Sequence, residues 1–62
     1  MYYLVEVFSK NGFLAGQRTT IGLGAAILLR DSFQSNPDFG EVNIYSTEVV
    51  GGLIDKGVLI HV

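Results

Sequence analysis

His61 is the one side chain that could take up a proton near neutral pH without special surroundings. A serine or threonine nucleophile would need such a base within reach. Here the base is the penultimate residue, on a stretch that reads as a buried strand, which suits a packed or terminal histidine better than a catalytic one. Carboxylate pairs exist, but none has a spacing that demands a shared site. Glu41 and Glu48 flank an expected strand, and Asp31 and Asp38 flank a turn. Gly22-Leu23-Gly24 has the look of a phosphate-cradling loop, yet the third glycine of that pattern is replaced by Ile27. Small residues that let a helix pack closely explain the pair as well. With no cysteine and a single histidine, a zinc site lacks ligands. The chemistry therefore predicts no enzyme, no cofactor and no metal.

The charges narrow the partners. Lys10, Arg18, Arg30 and Lys56 face six carboxylates, for a net charge of −2 and a pI near 5.0. Phosphate-backbone binding recruits about six or more cationic contacts, so nucleic acid is not an expected partner. The longest apolar run, Ile21 to Leu29, is interrupted by Gly22 and Gly24. It falls well short of the about 20 residues needed to span a bilayer. The start lacks the basic region and cleavage site of a secretory signal. The expectation is a cytoplasmic protein and a complete short gene product.

Size sets the next constraint. Sixty-two residues allow one domain, residues 1–62. A chain of this length buries only about 60% of the surface that it exposes when unfolded. Yet charged residues are 16% of the chain, against about 25% in ordinary globular domains. A chain with little interior but many apolar residues is expected to spend some of them on another chain, its own copy or a different protein.

The elements that must position these residues follow from periodicity and turn chemistry. Tyr2 to Ser9 reads as a strand, Asn11-Gly12 as a two-residue hairpin turn with positive φ at both positions, and Phe13 to Thr19 as the second strand. That register sets Leu4 opposite Thr19, Glu6 opposite Gln17 and Phe8 opposite Ala15. Gly16 marks a bulge or close approach. One hairpin face carries Tyr2, Leu4, Glu6, Phe8, Phe13 and Ala15, the other Tyr3, Val5, Val7 and Leu14. Neither is properly polar, so one should cover the core and the other stay substantially apolar.

Thr19 or Thr20 would cap a helix from Ile21 to about Ser35, stopped at Asn36-Pro37. Its broad face would hold Ile21, Ala25, Ala26, Leu28, Leu29 and Phe33. Leu23 and Ile27 would point away, beside Gly24 and Asp31. A turn at Asp38-Phe39-Gly40 leads to a strand from Glu41 to Tyr45, with Val42 and Ile44 inward. Ser46 or Thr47 would cap a short second helix through Lys56, with Val49, Val50, Leu53 and Ile54 as its buried stripe. Val58 to Val62 would be a last, interior strand, parallel to the third. The expected fold is a small two-layer α+β sandwich of order β-β-α-β-α-β, with an N-terminal hairpin and two helices on one face of the sheet.

Tyr3-Leu4-Val5-Glu6-Val7-Phe8, the hairpin after it, and Glu48-Val49-Val50 with Ile54-Asp55-Lys56, Val58 and Val62 resemble the Dmd family of short antitoxins from T4-type phages. The likeness is confined to the two chain ends. It implies a strand-first, helix, strand-last layout and direct binding of a bacterial RNase toxin, and it carries over no binding residue.

The functional expectation is a non-enzymatic interaction protein, of the inhibitor or antitoxin kind, that covers a partner's functional surface. The alternative is a structural homodimer or assembly subunit with no outside target. The expected contact residues are Leu23, Ile27, Gly24 and Asp31 on the helix, with Tyr2, Phe8 and Phe13 either as anchors or as core. Asp31, Asp38, Glu41 and Glu48 are ordinary solvated carboxylates or a rim that steers a basic partner.

Overall fold

A computed structural model describes the chain over residues 2–50 and 53–62; for residues 48–50 and 53–55 the description is of the backbone. Four strands and one helix follow in the order β1 (Tyr2–Ser9), β2 (Leu14–Ile21), α1 (Leu23–Gln34), β3 (Phe39–Val50) and β4 (Leu53–Ile60). The sheet runs β2-β1-β3-β4, and every ladder is antiparallel. This corrects the expected β-β-α-β-α-β order with two helices. The segment expected to be the second helix is the end of β3 and the start of β4, and β4 lies at the sheet edge, antiparallel to β3, rather than inside it.

The reason lies in residue type and pairing. Ile44, Thr47, Val49 and Val50 are β-branched, which favours a strand over a helix. The β3 backbone pairs with β1 from Phe39 to Thr47 and with β4 from Ile44 to Val50. A short helix with two glycines inside it cannot match that many ladder bonds. Gly51-Gly52 lies outside the described residues, as do the side chains of Val49, Val50, Leu53 and Ile54 once assigned to the helix stripe. Val50 and Leu53 are directly opposed.

The first hairpin follows its expected register at Leu4–Thr19 and Glu6–Gln17, then slips at Ala15, so that Phe8 meets Leu14. Its turn differs from expectation. Gly12 N–H donates to the Ser9 carbonyl at 3.0 Å and Ser9 N–H to the Phe13 carbonyl at 2.8 Å. Gly12 has φ 88°, while no described non-glycine residue, Asn11 included, has a positive φ. The loop is therefore three residues, with Gly12 in the left-handed position that ends an ordinary turn.

Ile21 closes β2 rather than opening the helix, and Gly22, at φ 87°, is the N-cap in place of Thr19 or Thr20. Moving the helix start to Leu23 turns the expected stripe around the axis. Leu23, Ala26, Ile27, Leu29 and Phe33 face the sheet, and Ala25 and Leu28 face outward. The Asn36-Pro37 stop holds: Asn36 Oδ1 accepts from Asp38 N–H at 3.0 Å, and Asn36 N–H donates to the Phe33 carbonyl.

The core is one layer thick. Val5, Val7, Val42 and Ile44 form its floor and Ala26 its lid, with Tyr3, Leu23, Ile27, Leu29, Phe33, Phe39 and Ile60 around them. Phe33 and Phe39 meet edge to face, with centroids 5.6 Å apart. Strand alternation sends Tyr2, Leu4, Glu6 and Phe8 to the opposite side of the sheet, where no helix lies among the described residues.

Candidate functional site: the helix-free face

Cross-strand pairing arranges this second face in rows. Ile21, Tyr2, Thr47 and Lys56 form one, Thr19, Leu4, Tyr45 and Leu59 the next, and Gln17, Glu6 and Asn43 a third. Phe8 and Leu14 continue it toward the hairpin loop. The centre is sealed: Leu4, Glu6 and Thr47 are buried although no helix among the described residues lies over them. Gln17 from the same row and Lys56 from two rows away both reach over Glu6.

Glu6 is the decisive member. A carboxylate that is 3% exposed must be paired, because a bare buried charge costs several kcal/mol. Gln17 Nε2 donates to its Oε2 at 2.8 Å, and Lys56 Nζ donates to its Oε1 at 3.0 Å. Lys56 sits two rows away on β4 and reaches Glu6 by lying across Tyr45, its ammonium 4.7 Å from the ring centroid. The carboxylate thus holds the cation at one end while the ring's negative face supports it from below. The hydrogen bond from Lys56 to Glu6, helped by the charges of Glu6 and Tyr45, raises the lysine pKa above its ordinary value, partial desolvation opposing the shift.

A bulge aims Lys56 onto this face. Between the pairs Thr47–Lys56 and Tyr45–Leu59, β4 carries one more residue than β3. Val58 N–H leaves the ladder and donates to Ser46 Oγ at 3.1 Å. Only glycine fits at position 57, since a Cβ there would lie 2.6 Å from the Ser46 carbonyl oxygen. Thr47 Oγ1, also buried, has no hydrogen-bond partner among the described residues.

Around the sealed centre the rim is apolar and open. Tyr2 is 43% exposed, Ile21 74%, Leu59 38% and Leu14 50%. The outer surface of α1, by contrast, exposes Leu28 as its single large apolar side chain among the described residues.

The residues expected at a partner site are dispersed. Tyr2 and Phe8 lie on the helix-free face, Phe8 half-buried, and Phe13 stands exposed in the hairpin loop. Gly24 and Asp31 are exposed on the helix. Leu23 and Ile27, expected to point away from the sheet, are half-buried against the core instead, a consequence of the shifted helix start. Asp31 is paired with Arg30 at 2.9 Å, and Arg30 also donates to the Val62 carbonyl. Asp38 and Glu41 are exposed, in the turn and in β3; the side chain of Glu48 lies outside the described residues. His61 is exposed beyond the end of β4. Sequence reasoning missed Ile21, Tyr45, Lys56 and Leu59. The available signal was Glu6, one charge inside the apolar run of the first strand, which required a cation that only four residues could supply.

No three His, Cys, Asp or Glu side chains among the described residues could together hold a metal ion. No helix among them is long and apolar enough to cross a membrane. No protein-family model, no curated protein and no solved structure matches the chain.

Proposed function

We propose that the chain is a non-catalytic protein–protein interaction module and that the helix-free face of its sheet is the binding surface. One observation carries the reading. Tyr2, Ile21, Leu59 and Leu14 expose their apolar area on the same face, around a centre whose charges are already paired. Covering such a face removes apolar area from water at about 25 cal/mol per Å² and leaves no bare carboxylate. An inhibitor or antitoxin, as the Dmd resemblance implies, would use these side chains to cover a partner's functional surface. A subunit of a homomeric assembly would apply them to its own copy.

The test is capture from a bacterial lysate with three baits: wild type, Ile21→Asp with Leu59→Asp, and Leu28→Asp. The expected outcome is that the face variant loses the proteins captured by wild type and the helix variant keeps them. Equal capture by a folded face variant would overturn the assignment.

A further inference from the structure

We infer that the partner of the helix-free face is a second copy of this chain, packed sheet against sheet about a two-fold axis with both helices outward. The inference rests on reading that face as the binding surface, and three observations select the occupant.

The first is area. The molecule measures 35 × 22 × 16 Å, so its broad side is roughly 770 Å² in outline. A standard stable interface takes about 800 Å² from each partner. The chain exposes 4168 Å², above the about 3,900 Å² of a compact monomer of its mass.

The second is charge. Among the described residues of the rows, Glu6 and Lys56 are the charged members, and they neutralise each other. A face selected for a different protein would gain specificity from charges complementary to that partner. Rows with no net charge meet their own copy without repulsion. Glu41, exposed beyond Asn43 on the same strand, adds one carboxylate at the hairpin end of the face, and a two-fold axis sets that end of one copy against the opposite end of the other, so the two do not meet. Both carboxylate oxygens of Glu6 already have donors, so burial beneath a second sheet strands neither of them.

The third is shape. Two sheets stack about 10 Å apart when side chains of moderate size interdigitate. The rows supply such side chains, with the short Thr19 and Asn43 set among the larger Tyr2, Ile21, Tyr45 and Leu59. A two-fold axis sets the same rows against themselves in reverse order, as a self-complementary interface requires.

Sedimentation equilibrium of the purified chain decides the matter. Wild type is expected at about twice 6.7 kDa. Ile21→Asp with Leu59→Asp should associate at least a hundredfold more weakly with an unchanged circular dichroism spectrum, and Leu28→Asp should remain a dimer. If the double variant fails to fold, Ile21→Asp alone takes its place at a position 74% exposed. A wild type that stays monomeric up to about 1 mM, the scale of the weakest specific contacts, overturns the second copy. The reading of the face as a binding surface then stands or falls on the capture experiment. A dimer that survives the face variants and is lost in Leu28→Asp overturns both. Binding of a labelled oligo(dT) strand at physiological salt, lost on Tyr2→Ser, also overturns both by making the aromatic face a base-stacking platform.

Discussion

The two faces of one sheet each have a buried centre, but different parts of the chain seal them. Beneath α1, Val5, Val7, Val42 and Ile44 are covered by a helix that follows β2 directly. On the other side Leu4, Glu6 and Thr47 are buried with no helix among the described residues above them, and Lys56, lying across Tyr45, reaches over to Glu6. The helix excludes water with a rigid apolar stripe. The strap of Lys56 does so with a long flexible stem that remains half-exposed, anchored by a hydrogen bond and a ring. A domain too small for a second helix can thus shelter a carboxylate, but only at the middle of the face. The rim remains bare, and that asymmetry makes one face a core and the other a candidate interface.

The largest effect should separate the faces directly. Ile44→Ala removes buried methylenes from beneath the helix and should cost about 2–5 kcal/mol. That is comparable to the about 3–5 kcal/mol that a core of this size supplies, so urea denaturation should find the variant largely unfolded in buffer. Ile21→Ala, at dilutions where the chain is monomeric, should stay within about 0.5 kcal/mol of wild type. Similar losses at the two positions would mean that the second face is packed as tightly as the first.

The strap predicts an asymmetry between its ends. Lys56→Met leaves the carboxylate of Glu6 buried with Gln17 as its remaining side-chain donor, so its thermal midpoint should fall furthest. Glu6→Leu instead leaves a half-exposed ammonium that can turn into water, and should fall little. The double variant should recover most of what Lys56→Met loses, since replacing both members of a buried pair is far cheaper than orphaning one. Equal losses from the two single variants would show that the pair is a surface contact rather than the seal of a buried centre.

The two glycines that most invite substitution sharpen the contrast between strand and helix. Gly57→Ala drives a Cβ to within 2.6 Å of the Ser46 carbonyl oxygen and 2.9 Å of its hydroxyl. The bulge must open, the Val58–Ser46 hydrogen bond is lost, and the cost should be about 1–3 kcal/mol. Gly24→Ala meets open space on the outer side of α1 and should stabilise by up to about 1 kcal/mol through helix propensity. Chemical denaturation of the two variants reads both signs.

The local parts of this design were legible in the sequence and the long-range parts were not. Asn11-Gly12 announced the hairpin, Asn36-Pro37 the helix end, and the alternation in Tyr2 to Ser9 the two faces. Asn11-Gly12 does not fix the turn type, because a three-residue loop needs positive φ at Gly12 alone and the same dipeptide serves both turns. With Ile21 in the strand instead of the helix, the sheet-facing stripe swings by about a quarter turn toward Leu23 and Ile27, while Ala26, Leu29 and Phe33 stay on it. Anchoring the stripe on Ile21 is what set Leu23 and Ile27 outside. Ser46 and Thr47 read as caps of a second helix, though Thr47 and the β-branched Ile44, Val49 and Val50 around it suit a strand. The partner strands that decide between them are distant in sequence: Tyr2 pairs with Thr47, and Glu6 meets Lys56 across fifty positions. Nothing local in the sequence joins those residues.

The smallest expected effect concerns alkaline pH and isolates the strap from the helix. Glu6 and Tyr45 raise the pKa of Lys56 above the ordinary 10.5. A lysine whose folded pKa exceeds its unfolded value binds its proton more tightly in the native state. Its contribution is therefore complete below about pH 10.5 and is lost as pH rises through the folded pKa. Thermal midpoints of wild type should be insensitive to this pair between about pH 6 and 9 and decline above about 10.5. In Glu6→Leu the ammonium has lost its acceptor, so the part of the decline due to Lys56 should vanish. Since the ammonium is half-exposed, salt should weaken the difference between the two profiles. A pair shut away from solvent would not respond in that way, so profiles that stay apart at high salt would mean the helix-free face is already closed in solution. Superimposed profiles at low salt would mean that Lys56 does not hold the strap at all.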